Sequence, residues 1–215
     1  MTQPVWLEAL LRQPAWQRVL APDPPARKTR PLGGPLPVKP EHIPLELKVH
    51  RGWACWRYTD DSAGRTSKPP FQPASGERAE PSNMATWSSY DDAWAAYREG
   101  GTSDHPAYDG ISFALWEPWG IVGVDLDHVS AHDHDARRFV DELDSYTEHT
   151  PGGDGLRIFV RGTLPPGRRR RDWVEMYSAR RFLTVTGQQL PHASPTLTSS
   201  PRALYSLWYE FLEHG

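Results

Sequence analysis

The sequence predicts an α+β fold: a mixed, largely antiparallel sheet flanked by helices, preceded by an N-terminal helical appendage. Three observations carry this prediction. Short apolar or alternating runs bounded by Gly, Pro and Asp recur from Gly52 to Thr186, outnumbering segments of helical period. Two stretches, Ser130–Ser145 and Ala203–Leu212, instead carry apolar stripes of period 3.6. Strands outnumber helices and the two are mixed along the chain, which makes α+β with a largely antiparallel sheet the natural class.

At the front, Leu7, Leu10, Leu11, Val19 and Leu20 suggest two short helical pieces or one helix kinked at Pro14. Residues 21–44 are rich in Pro, Gly, Arg and Lys and read as an extended linker. Residues 1–44 are therefore expected to be an appendage, with the main domain over 45–190. Gly52-Trp-Ala-Cys-Trp-Arg-Tyr58 reads as an aromatic strand, Asp60 to Gly64 as a turn, and Lys68-Pro-Pro-Phe71 as an extended return. Ser89, three residues ahead of Asp92, resembles a capping box and predicts a helix to about Arg98. Gly110–Leu115 and Ile121–Asp127 read as the two strands of a hairpin around a turn at Glu117–Trp119.

A helix with Ala136, Phe139, Val140 and Leu143 on one face follows, ending near Ser145. The turn Pro151-Gly-Gly-Asp-Gly155 feeds a strand in which Leu156, Ile158 and Val160 oppose Arg157, Phe159 and Arg161. Gly167-Arg-Arg-Arg-Arg171 reads as a basic turn, Val174–Tyr177 and Phe182–Thr186 as strands. Residues 191–215 are expected to be a closing amphipathic helix that packs on the core or leads to a module the chain lacks. Of ten tryptophans, Trp53, Trp56, Trp94 and Trp208 fall on core-facing positions, while Trp116, Trp119 and Trp173 lie near turns and are expected to be more exposed.

Composition narrows the classes. The 215 residues suit one good-sized domain, and a net charge of -3 with 24 Lys+Arg against 27 Asp+Glu gives no global signature of nucleic-acid binding. Any basic surface must be local. The single cysteine, Cys55, excludes an internal disulfide and suits a reducing cytoplasm. No apolar run is long enough to span a bilayer, so no membrane partner is expected.

The candidate chemistry starts at Gly120-Ile-Val-Gly-Val-Asp-Leu-Asp-His128. In a strand, Asp125 and Asp127 share a face, and two close carboxylates favour a cation between them. Alone, the pair also fits a strand end passing into a turn. Glu175, charged within the short apolar strand Val174–Tyr177, supplies a third acid, unless it lies on an exposed strand face. Hard cations such as Mg²⁺ or Mn²⁺ take oxygen donors of this kind, and two such ions suit phosphoryl transfer.

Gly153 and Gly155 would let backbone N–H groups converge on a phosphate just ahead of Arg157, though the same glycines also suit a plain hairpin turn. Arg168, Arg169, Arg170 and Arg171 could grip a nucleic-acid backbone or form a solvated turn. Lys68 is a candidate triphosphate or template contact. His132 and His134 read as part of an acid-rich helix N-terminus rather than a zinc site, whereas His128, beside Asp127, could line the cleft.

The order of these features resembles the primase-polymerase domains of phages and plasmids, in the archaeo-eukaryotic primase superfamily. The residues that carry the resemblance are Trp53, Trp56, Lys68-Pro, Thr86-Trp-Ser-Ser, Gly123-Val-Asp-Leu-Asp-His128, Ser145-Tyr-Thr-Glu148, Pro151-Gly-Gly-Asp-Gly-Leu-Arg157, Val174-Glu-Met-Tyr177 and Arg181-Phe-Leu-Thr-Val-Thr-Gly187, over roughly residues 45–190. It implies that Asp125, Asp127 and Glu175 are catalytic and hold two Mg²⁺ or Mn²⁺ ions. The family's phosphate-binding motif, Ser-x-Gly-x-x-His, is altered here: Gly152 or Gly153 takes the serine position and Arg157 that of the histidine. Arg157, Gly153, Gly155, Lys68, His128, Arg181 and Thr186 are then the nucleotide-binding candidates, and Arg168–Arg171 the nucleic-acid-binding ones.

The implied activity is template-directed nucleotidyl transfer, as DNA polymerase or primase, in replication of a phage, plasmid or other mobile element. The implied partners are nucleoside triphosphates, a single-stranded or primed DNA template, and a helicase or other replication protein. One helix follows the family-like region, so nucleotide addition is expected ahead of primer initiation. A nucleic-acid-binding replication-initiation module without turnover, and a metal-dependent phosphodiesterase, are the alternatives.

Overall fold

The computed structural model describes residues 30–101, 106–130 and 132–214. The helix expected at the N-terminus lies outside the described residues, as does the first part of the proline-rich stretch. No described helix is long and apolar enough to cross a membrane.

Three antiparallel sheets organise the described residues. The first runs in the order β11 (Arg181–Val185), β5 (Gly110–Leu115), β1 (Trp53–Trp56), β4 (Pro70–Phe71). The second runs in the order β7 (Tyr146–His149), β8 (Leu156–Arg161), β6 (Ile121–Leu126), β10 (Val174–Tyr177), β9 (Arg170–Arg171). A small ribbon pairs β2 (Thr59–Asp60) with β3 (Thr66–Ser67). The architecture is α+β, but the expectation of one mixed sheet gives way to separate sheets in which every pairing between these strands is antiparallel.

The expected hairpin of Gly110–Leu115 with Ile121–Asp127 does not form. β5 is paired on both edges, with β1 and β11, and β6 on both edges, with β8 and β10. A strand has two edges, so neither has one left for the other. The 3₁₀ turn Glu117–Trp119, closed by Gly120 in the left-handed region (φ 60°), passes the chain between sheets instead. Both strands are buried throughout, so neither shows the alternation that would reveal its sheet.

One face of the five-stranded sheet packs on helices. Val122, Val124, Leu126, Leu156, Ile158, Val160, Val174 and Met176 meet Ala136, Phe139 and Leu143 of α3 (His134–Leu143) and Leu204, Leu207 and Trp208 of α4 (Pro201–Trp208). A π-helical turn, Tyr209–His214, continues α4 and adds Leu212 to this core. The apolar stripes read from the sequence are these faces.

A second core joins Ile121, Tyr146 and Phe159 to Trp53, Phe113, Leu115 and Leu183 of the other sheet. Gly123 lets the sheets pack closely: a Cβ there would collide with the Leu183 side chain. Before this sheet the chain forms a short helix, α1 (Leu45–Lys48), and Val38 and Ile43 are buried in the same core. Helix α2 (Tyr90–Glu99) starts on the capping box anticipated at Ser89 and Asp92 and contributes Tyr90 and Ala93. Trp116, Trp119 and Trp173 are half-buried rather than exposed. Trp119 stacks on His50 at 4.4 Å, Trp116 meets the edge of Trp87, and Trp173 packs against Phe139 and Phe211. Apolar neighbours at the turns cover them.

Candidate active site

The register of the five-stranded sheet sets the site. Glu148 on β7 lies directly opposite Arg157 on β8, Arg157 opposite Asp125 on β6, Asp125 opposite Glu175 on β10, and Glu175 opposite Arg170 on β9. Directly opposed residues project from the same face, so five charged side chains cross the whole sheet in one line. Glu148 and Glu175 are wholly buried, and Asp125 and Arg157 nearly so. Charges removed from water to this extent require partners.

Arg157 is the central partner. Its Nη2 donates to Asp125 Oδ1 at 2.6 Å, and each of these side chains is only 6% exposed. Its Nη1 donates to the carbonyl and hydroxyl oxygens of Thr184 on β11, joining the two sheets across the site. Its Nε is buried without a hydrogen-bond partner.

Glu175 is held differently. Oε2 accepts from Tyr177 Oη at 2.9 Å and Arg181 Nη2 at 3.0 Å. Oε1 lies 3.2 Å from Arg170 Nε, an ion-pair distance without hydrogen-bond alignment, and receives no hydrogen bond. The Arg170 and Arg181 side chains are 50% and 43% exposed, so water screens their attraction. Burial pushes the Tyr177 phenol up to about 12; Arg181 opposes the rise and Glu175 adds to it.

Glu148 closes the row on the other side. It accepts from the backbone N–H groups of Thr186 (3.0 Å) and Gly187 (2.7 Å) and from Tyr146 Oη (2.8 Å). Burial raises its pKa above the ordinary carboxylate value, against the pull of Arg157 and of these donors.

The chain is 30% identical, over 153 residues, to a DNA primase-polymerase of Nitratiruptor phage NrS-1. It is related to a phage DNA primase-polymerase. The match covers 66% of this chain and 20% of that protein, so the similarity concerns a fifth of the relative's length. No family model matches the chain.

Of the residues singled out in the sequence, the fold brings Asp125, Glu175, Arg157, Arg181 and Arg170 together. Asp127 stands one step beyond β6, half-exposed, and its N–H continues the ladder by donating to Trp173 O at 2.8 Å. Among the described residues, no three His, Cys, Asp or Glu side chains are gathered as a ready-made metal cage.

The remaining candidates lie elsewhere or are engaged otherwise. His128 adopts a left-handed backbone (φ 57°), and its Nδ1 pairs with Asp154 Oδ2 at 2.9 Å in a partly exposed turn. Gly153 takes φ +75° in the β7–β8 turn that carries Asp154, while a Cβ on Gly155 would sit 2.6 Å from the Leu126 carbonyl oxygen. These glycines thus bring the β7–β8 hairpin against the end of β6. Lys68 Nζ lies over the Trp56 and Tyr58 rings at 5.7 and 5.5 Å from their centroids. Thr186 is buried and donates through Oγ1 to His149 O at 2.7 Å.

The basic turn proves to be partly strand: Arg170 and Arg171 form β9 because their backbones pair with β10. Arg168 accepts from Trp208 Nε1 through its carbonyl, Arg169 Nη2 donates to Pro165 O, and Arg171 Nε lies 3.8 Å from Asp172 Oδ2. Neither Glu148 nor Thr184 is among the site residues assigned from the sequence, although both lie in segments that carry the family resemblance, Ser145–Glu148 and Arg181–Gly187. A charge within the short strand Tyr146–His149 was a further signal for Glu148.

Proposed function

We propose that this chain is the catalytic core of a primase-polymerase, performing template-directed nucleotidyl transfer on DNA with nucleoside triphosphates. The supporting observation is the register that sets Asp125 directly opposite Glu175 at the centre of a buried charged row. The chain's relationship to a phage DNA primase-polymerase supports the same reading.

The donors suit a hard divalent cation: two opposed carboxylates, a third two residues along, and one buried carboxylate oxygen, Glu175 Oε1, that receives no hydrogen bond. Asp125, Asp127 and Glu175 would hold Mg²⁺ or Mn²⁺. Bound there, such ions would activate a 3′-hydroxyl and steady the leaving pyrophosphate during in-line displacement at the α-phosphate. Arg181 and Arg170, half-exposed beside Glu175, can turn from that carboxylate to triphosphate or template phosphates. Tyr177 orients the Glu175 carboxylate through Oε2, and Oε1, which receives no hydrogen bond, is the oxygen left for the ion. Exposed Arg168, beside the edge strand β9, extends the positive charge along which a template backbone could run.

The test is extension of a labelled primer on a DNA template with Mg²⁺ or Mn²⁺, wild type against Asp125→Ala/Asp127→Ala. Extension by the wild type alone is expected. Binding of the primed template without extension would refute the polymerase reading, and metal-dependent shortening of the labelled strand would indicate hydrolysis. One observation favours a second reading, a nucleic-acid-binding module without turnover: Asp125 is already neutralised by Arg157.

A further inference from the structure

The Asp125–Arg157 pair bears on how an ion could reach the acids. We infer that Arg157 is a resident counter-cation that locks Asp125 in the metal-free protein, and that a divalent ion binds only as Arg157 releases this carboxylate. Arg157 is then a positioning residue that sets the site's metal affinity. The inference rests on the reading of Asp125, Asp127 and Glu175 as metal ligands.

The contrast between the two acids carries the argument. The guanidinium groups on Glu175 stand half in water on flexible stems, so exchanging them for an ion requires only that they swing outward. Arg157 has no such route. Its side chain is 6% exposed, one nitrogen is fixed on Asp125, and another is fixed on both oxygens of Thr184 in the facing sheet.

A guanidinium at 2.6 Å from Asp125 Oδ1 occupies the side of the carboxylate that faces β8, and it repels any dication that arrives beside it. The carboxylate on its other flank is Glu148, directly opposite it on β7 and wholly buried. Arg157 thus stands between two acids in one cross-strand row, and a dication at Asp125 and Glu175 displaces it toward Glu148. A neutral side chain at this position would leave Asp125 open to the ion; an arginine makes metal entry conditional on moving a buried charge.

The experiment is Mn²⁺ titration by calorimetry of the wild type, Arg157→Gln and Arg157→Lys, without nucleotide. Arg157→Gln should bind Mn²⁺ about tenfold or more tightly than wild type, because the competing charge is gone. Arg157→Lys, which keeps a cation, should stay close to wild type. Equal or weaker binding by Arg157→Gln overturns the lock while leaving the metal-site reading intact. Absence of Mn²⁺ binding in all three proteins overturns both. Should Arg157→Gln not fold, the wild type still decides the matter by NMR of its arginine Nε–Hε signals under Mg²⁺ titration. The Arg157 signal, assigned by its loss in Arg157→Lys, should shift as Mg²⁺ binds. An unmoved signal at saturating Mg²⁺ overturns the inference.

Discussion

Breaking the Asp125–Arg157 pair from each side should have unequal costs. Both side chains are 6% exposed and 2.6 Å apart, and removing one member of such a buried pair generally costs about 3–5 kcal/mol. Arg157→Met leaves the Asp125 carboxylate buried, facing the like charge of Glu175 across the strand pair, and should cost about 4 kcal/mol. Asp125→Ala leaves Arg157 with its Thr184 acceptors and Glu148 on its other flank, so about 2.5 kcal/mol is expected. The double variant should lose about 4.5 kcal/mol, a coupling of about 2 kcal/mol. These losses fall within the stability of an ordinary domain, about 5–15 kcal/mol, so each protein should retain a measurable folded baseline. The assay is urea unfolding followed by tryptophan fluorescence, in EDTA so that no divalent ion substitutes for the lost guanidinium. Additivity within about 0.5 kcal/mol, or a larger loss from Asp125→Ala than from Arg157→Met, would refute the reasoning.

Other substitutions test separate parts of the fold. Gly155→Ala places a Cβ 2.6 Å from the Leu126 carbonyl, forcing β8 away from β6, and should cost about 1–3 kcal/mol, read as a thermal midpoint lower by several degrees. Ser89→Ala removes half of the capping box on α2 and should cost about 1 kcal/mol by the same measurement. His50 stacks on Trp119, and burial, assisted by Arg161, holds its pKa below the ordinary 6.5. Its contribution is therefore present above pH 6.5 and lost as the pH falls below that value, where the unfolded chain takes up the proton first. Thermal midpoints should drop on acidification through this window, and His50→Phe should flatten the drop; an unchanged slope would count against the assignment.

Much of the local structure was legible in the residues. Ser89 and Asp92 announce α2 because a capping box is a contact across three residues. The stripe on α3 and the alternation Leu156, Ile158, Val160 follow from helical and strand periods, and both faces are buried as those periods require. Asp125 and Glu175 stand out for a similarly local reason, as charges placed inside apolar strands.

What only the tertiary structure decided is pairing. β5 and β6 follow one another across a tight turn and look like a hairpin, yet each has both edges filled by strands distant in sequence. Arg157 alternates away from Leu156 as its strand period demands, but whether it meets a phosphate or an aspartate depends on which residue of β6 lies opposite. Strand periodicity is encoded over a few neighbouring residues and assigns each side chain to a face. Register is settled by contacts between segments tens of residues apart, and it gave Arg157 its partner, Asp125.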